Sequence, residues 1–255
     1  MKNALILIFL TAFPAIAMAT GLPDGLQSAT LLPGWTEGGK RISALELILK
    51  PGWKTYWRSP GEAGLPPEFE WQGTNIGTVE FHWPAPEVIE SLGLRTLGYH
   101  DRLVLPFTVT PETDGEPVGM ISTHITFGLC ENICVPAALT LAAPPPAATT
   151  DPTITEAIAR QPKPGTLPPA CEITKIKDGM TVTLSLPHPS TEIAIEHRGN
   201  PGIWVSTPEF SGDKSRASAD FITPEGKPFP LDPDDILLTV LDETGATEYR
   251  GCTTG

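Results

Sequence analysis

Positive charge is scarce in this chain. Seventeen Lys and Arg face thirty Asp and Glu, a net charge of −13, and such a surface excludes nucleic acid and anionic lipid as natural partners. No stretch, the apolar one near the start included, reaches the roughly 20 consecutive apolar residues of a membrane-spanning helix. A sustained 3.6-residue period is also missing, which excludes a helical bundle. No internal repeat is visible, and no phosphate loop, Ser-His-Asp order or carboxylate pair stands out. Nothing in the sequence asks for a cofactor. His82, His100, His188 and His197 have no spacing that suggests a metal or a catalytic group. Cysteine is limited to four residues, Cys130, Cys134, Cys171 and Cys252.

What is present begins with a leader. Met1-Lys2-Asn3 is followed by an apolar stretch over residues 4–17, broken by Pro14 and ending in AIAMA. This is the pattern of a secretory signal peptide, residues 1–19, cut after Ala19. No cysteine follows the cut, so a lipid anchor is not indicated. Export places the four cysteines in an oxidising compartment, with the periplasm as the expected location. Losing Lys2 makes the remaining chain one unit more negative, a surface that keeps an exported protein in solution.

About 235 residues remain, enough for one large domain or two ordinary ones. Residues 143–170 are rich in Pro, Ala and Thr and offer little for a core, which marks a semi-rigid connection. Within it Asp151, Pro152 and TITEAIAR read as a short capped helix between the domains. Before the linker, apolar runs recur about every ten residues, around 29–32, 42–49, 53–57, 69–71, 79–83, 103–109, 118–127 and 135–141. Such spacing predicts an all-β fold, an immunoglobulin-like β-sandwich over residues 20–142. Trp53, Trp57, Trp71 and Trp83 are read as core and rim anchors. The runs MTVTLSL, EIAIEH, GIWVS and DILLTVL predict a second, smaller β-sandwich over residues 171–255. Cys171 and Cys252 lie near its two ends, and a bridge between them would contribute roughly 4 to 5 kcal/mol by restricting the unfolded chain.

Cys130 and Cys134 lie in TFGLCENICVPAALTL, where one strand ends and the next begins. Ile121, Thr123, Ile125 and Phe127 share one parity; Ser122, His124, Thr126 and, by extension, Cys130 share the other. Downstream, Val135, Ala137, Leu139 and Leu141 form the apolar set and leave Cys134 on the opposite face. Both thiols are thus expected to lean away from the core, close enough for a disulfide. Three readings stay open at this point: a hairpin staple, an exposed and easily reduced exchange site, and a metal site.

The blocks LKPGWKTYWRSPGEAGLPPEFEW, WPAPEVIESLGLRTLGYHDRLVLPFTV and CENICVP resemble the amino-terminal periplasmic domain of DsbD-type thiol:disulfide reductases, and above all its ScsB-like relatives. The likeness covers residues 25–145 well and the rest more loosely. It implies an immunoglobulin-like domain whose cysteine pair shuttles electrons, an oxidoreductase of the protein-disulfide reductase type. Cys130 and Cys134 become the redox couple, with Cys134 forming the mixed disulfides. A cap loop falls on residues 87–93, with Glu90, Ser91 and Leu92 as the cap and Glu87 a nearby acid. Trp53 and Tyr56 match aromatic positions flanking the site.

The cysteine spacing is that of the ScsB-like branch. The sequence holds no membrane-spanning or thioredoxin-like segment after the second sandwich, so the expected partners are a separate membrane electron transporter and periplasmic thioredoxin-fold proteins. No Lys, Arg or His lies inside the 131–133 loop, and Glu131 would raise a neighbouring thiol's pKa, so modest intrinsic reactivity is expected. The alternatives are a Cu(I)-binding, copper-tolerance protein and a non-redox binding module with structural disulfides. For copper, His124 would lie about 20 Å from Cys130 along a straight strand, leaving a fold-back of His100 or a Met as third ligand.

Overall fold

The computed structural model describes residues 21–254 other than 62, 92, 189–191, 201 and 244; the leader and Leu92 of the expected cap lie outside the described residues. The first half holds ten strands: β1 (Leu26–Glu37), β2 (Lys40–Leu49), β3 (Lys54–Tyr56), β4 (Glu68–Gly73), β5 (Thr78–Phe81), β6 (Glu87–Ser91), β7 (Leu94–His100), β8 (Arg102–Thr110), β9 (Ile121–Cys130) and β10 (Cys134–Ala142). They form two sheets, β1-β2-β8-β5 and β10-β9-β3-β7-β6, with β4 also pairing to β9.

Period-2 alternation explains how the sheets face each other. Leu45, Leu47 and Leu49 of β2, Leu103, Leu105 and Phe107 of β8, and Ile121, Ile125, Phe127 and Leu129 of β9 all enter one buried core. Trp57 and Trp83 are buried in it, while Trp53 and Trp71 pack against its margin. Phe69, Trp71, Phe81 and Phe107 form a run of tilted and stacked rings with centroids 4.4 to 6.2 Å apart, the offset geometry that aromatic quadrupoles favour.

Two features were not legible in the run spacing. Strand β7 and its partner β6 form a hairpin where the sequence suggested a cap and a connection. Leu97 and Tyr99 point into the core, and Gly98 lies so close to β3 that a Cβ there would stand 2.2 Å from the Thr55 carbonyl oxygen. The helix α1 (Pro152–Ala159) is capped by Asp151, whose carboxylate accepts the Thr153 N–H at 2.8 Å. It packs on the outer face of the first sheet, where Ile154 meets Trp35 and Ala44, instead of between the two sandwiches. The outward residues of β2 and β8, Ile42, Ala44 and Val104, are apolar and need that cover. Arg41 is buried nearby and donates to the carbonyls of Gly119, Pro33 and Pro144, so burial lowers its pKa.

The second half adds β11 (Lys163–Pro164), β12 (Ala170–Lys175), β13 (Met180–Ser185), β14 (Glu192–His197), β15 (Trp204–Val205), β16 (Glu209–Phe210), β17 (Arg216–Ile222), β18 (Ile236–Asp242), β19 (Gly245–Arg250) and β20 (Thr253–Thr254). Its sheets run β11-β19-β18-β14 and β15-β17-β13-β12-β20, with β16 also on β17. Val182, Leu184, Ile195, Phe221 and Leu238 build a separate core that includes Cys171 and Cys252. These two cysteines are bonded, with Cα atoms 5.6 Å apart. Ala194, Leu241 and Ala246 join the core of the first half instead, so the halves share an apolar seam.

Candidate functional site

The hairpin between β9 and β10 brings Cys130 and Cys134 directly opposite each other. They are bonded, with Cα atoms 4.1 Å apart, a little under the usual range of roughly 4.4 to 6.8 Å. The loop Glu131, Asn132 and Ile133 is exposed, Ile133 by 76%. Cys134 and Val135 are also exposed. Cys130 departs from the expectation of an outward, open thiol: it does lie on the outer face of β9, yet only 1% of it is accessible.

The cover comes from β3 and the segment that follows it. Lys54 and Thr55 pair with Cys130 and Leu129, and after an excursion over residues 57–67 the chain returns as β4 to pair with Thr126 and the rest of β9. Tyr56 therefore projects onto the same outer face as Cys130. Its ring lies across Gly128, where a Cβ would stand 2.7 Å from the ring and 3.0 Å from Leu65; only glycine permits that approach. The Tyr56 Oη is 2.8 Å from Cys130 Sγ and 3.0 Å from Cys134 Sγ. Disulfide sulfurs carry no hydrogen, so the phenol is the donor, with the Ala63 carbonyl a third acceptor at 3.4 Å. Burial raises the Tyr56 pKa, which keeps the hydroxyl protonated and able to donate.

Lys54 is the residue that reading the sequence missed. It is the direct cross-strand partner of Cys130 on one side and of His100 on the other. Opposed residues in an antiparallel pair share a face with Cβ atoms about 4.5 to 5.5 Å apart. Only 5% of Lys54 is accessible, and burial lowers its pKa. The hairpin loop contains no cation, but the neighbouring strand supplies one. A signal existed in the KTY triplet, whose first and third residues had to fall on one face.

Other expected site residues are placed as follows. Trp53 is half-buried against the first core, with its ring over Gly25. Glu87 begins β6 and its carboxylate meets His100 Nδ1 at 3.0 Å. Glu90 bonds Arg95 at 3.1 Å, and the Ser91 backbone pairs with Leu94 at the far end of the β6–β7 hairpin. That end is six residues, about 20 Å along the strand, from the level of His100, Lys54 and Cys130. Tyr56 touches both sulfurs, Lys54 pairs beside Cys130, and Ala63, Gly64 and Leu65 pack on Tyr56 and Gly128. His100 is separated from Cys130 by Lys54, and no group of three or more His, Cys, Asp or Glu is assembled for a metal among the described residues.

The first half is thus an immunoglobulin-like sandwich with a hairpin disulfide on its outer face. Residues 28–146 match the family described as thiol:disulfide interchange protein DsbD, N-terminal, so this half of the chain is a DsbD/ScsB-type N-terminal domain. Among solved structures, the N-terminal periplasmic domain of ScsB from Proteus mirabilis is 24% identical, with 89% of this chain and 92% of that one covered at a TM-score of 0.61. That likeness establishes a shared fold across both sandwiches. The reduced N-terminal domain of DsbD from Neisseria meningitidis is 15% identical, covering 47% of this chain and 86% of that one, with a TM-score of only 0.30. No curated protein matches the chain.

Proposed function

We propose that this is a periplasmic thiol:disulfide interchange protein that passes electrons from a membrane reductase to thioredoxin-fold proteins through Cys130 and Cys134. The observation that carries the reading is the asymmetry of the pair: one sulfur at an exposed, apolar hairpin tip, the other buried beneath a hydroxyl donor and beside a lysine. In this reading residues 20–142 form the redox domain, 143–170 the linker and 171–255 a second domain held by Cys171–Cys252. Among the described residues no helix is long and apolar enough to cross a membrane.

The chemistry follows from the asymmetry. A thiolate of the reductase attacks Cys134 Sγ, the Cys130–Cys134 bond breaks, and Cys130 leaves as a thiolate stabilised by the Tyr56 hydroxyl and the Lys54 charge. The reductase's second thiolate then attacks its own sulfur in the mixed disulfide and releases Cys134. Two electrons have moved, the reductase is left as a disulfide and, after protonation, this protein as a dithiol. In the second half Cys134 thiolate attacks a disulfide of the acceptor, and Cys130 resolves the mixed disulfide by attacking Cys134 Sγ, which regenerates the starting bond. Ile133 and Val135 supply an apolar contact around the attacked sulfur.

The test is the midpoint potential of the pair, measured by thiol trapping in graded redox buffers with mass spectrometry to separate the two disulfides. An exchange site titrates above about −300 mV without denaturant; a pair that stays oxidised until the protein unfolds would make it a staple and end this reading. Lys54 gives a second expectation. A nearby cation favours the thiolate and Lys54 stands opposite Cys130 across the strand pair, so Lys54→Met should raise the Cys130 thiol pKa by about one unit. Below that pKa the thiolate fraction falls about tenfold, read as the pH dependence of alkylation of a Cys134→Ala protein. An unchanged profile would remove Lys54 from the site.

A further inference from the structure

The segment that packs on Tyr56 is gripped by the other sandwich. It leaves β3 after Tyr56, and its first residue, Trp57, is buried in the first core. The next, Arg58, turns the other way. Its Nε and Nη2 donate to the two carboxylate oxygens of Glu196 on β14, each at 3.0 Å, and Nη2 also donates to Glu248 Oε2 on β19 at 2.8 Å. The three side chains are largely buried, at 22%, 16% and 14% accessible. The guanidinium also lies 4.3 Å from the centre of the Trp57 ring. Two residues on, the Pro60 carbonyl accepts the Leu97 N–H at 3.1 Å, and a Cβ at Gly64 would touch both Pro60 and Tyr56. Between this segment and residues 192–210 lies a cleft of about 700 Å³, walled by Arg58, Pro60 and Gly64 on one side and Glu196 and Trp204 on the other. One thin piece of chain thus packs on Tyr56, which touches both sulfurs, and is gripped by the second sandwich.

We infer that Arg58 is a positioning residue: held by Glu196 and Glu248, it keeps the described residues of segment 57–66 packed on Tyr56, so the second sandwich governs access to Cys130. The inference deepens the redox reading, since a shield has a purpose only where the pair exchanges. A bidentate guanidinium–carboxylate pair with a second carboxylate fixes direction as well as distance. The first sandwich holds the segment through Trp57, the Leu97–Pro60 hydrogen bond and the Tyr56–Ala63 contact, and the Arg58 fork is its charged tie to the second. A partner protein that engages the cleft wall, including the half-exposed Trp204, would move the same segment that shields Cys130. Small thiols, which cannot do so, meet only Cys134.

The experiment uses the full chain carrying Cys134→Ala, in which Cys130 is the one free thiol and Cys171–Cys252 stays oxidised. The rate at which a bulky maleimide alkylates Cys130 reports the opening of segment 57–66. Arg58→Ala should raise that rate about tenfold through local opening, and Arg58→Lys, which keeps the charge but not the fork, should recover part of the protection. Glu196→Gln with Glu248→Gln should reproduce the rise without removing the arginine, which guards against a variant that simply fails to fold. Equal rates in all four proteins would overturn the inference. So would a rise that tracks a fall in melting temperature and is not reversed by Arg58→Lys, since the triad would then be a plain stability contact. Because a lone thiol is read, failure here leaves the redox reading standing, and failure of that reading is seen separately in the midpoint potential.

Discussion

Cys130→Ala is expected to accumulate a mixed disulfide through Cys134 with thioredoxin-fold proteins, and Cys134→Ala to accumulate none. The expectation rests on access and on line of attack. Exchange needs a nucleophile to approach along the S–S axis. Cys134 is exposed beside Ile133 and Val135, whereas Cys130 is closed in by Tyr56, Gly128 and Lys54. With Cys130 removed, nothing in the site resolves the intermediate, so it persists on a non-reducing gel. With Cys134 removed, the remaining thiol lies buried under Tyr56 instead of at the exposed hairpin tip, and exchange falls to background. Equal trapping by the two variants would reverse the roles, and trapping by neither would leave the hairpin disulfide with no exchange function.

Removing the other disulfide, with Cys171→Ala and Cys252→Ala together, is expected to cost roughly 4 to 5 kcal/mol. The bridge closes a loop with a sequence separation of 81, which restricts the unfolded chain strongly. Both sulfurs lie in the second core, so truncation also leaves small voids that add to the loss. The bridge ties β12 to the turn ahead of β20, a parallel pair held otherwise by two register positions. Denaturant unfolding followed by tryptophan fluorescence measures the change. A loss below about 1 kcal/mol would mean that the pair restrains little, because typical native bridges in small exported domains contribute 2 to 5 kcal/mol. Ala194, Leu241 and Ala246 sit in the first core, so the loss should lower the stability of the first sandwich as well.

The sheet faces were legible because alternation is a local property. Ile121, Thr123, Ile125, Phe127 and Leu129 turn inward along β9, and Cys130 follows the outward set. Its burial was not legible, since it depends on where a tyrosine 74 residues earlier projects. The resemblance marked Tyr56 as a flanking residue, but only the register of β3 against β9 sets its hydroxyl on both sulfurs. Lys54 escaped for the same reason: a cation search confined to the hairpin loop cannot see across a strand pair. Segment 57–66 reads as a connection, rich in Pro and Gly, and its meaning lies in two carboxylates far down the chain. Strand β7 escaped because Thr96 and Gly98 break the apolar rhythm where the strand packs close to β3.

The connection between the sandwiches is pinned along its length. The Arg41 guanidinium holds the Pro144 carbonyl, Ala147 N–H reaches the Gly34 carbonyl at 2.8 Å, α1 lies on the first sheet, and Gly165 N–H reaches the Glu248 carbonyl at 2.7 Å. A free tether would let one half search a volume around the other, and its contour length would set an effective concentration. Here contour length sets nothing. The exposed hairpin tip and the half-exposed Trp204 are thus carried by one chain whose connection is tied down at both ends.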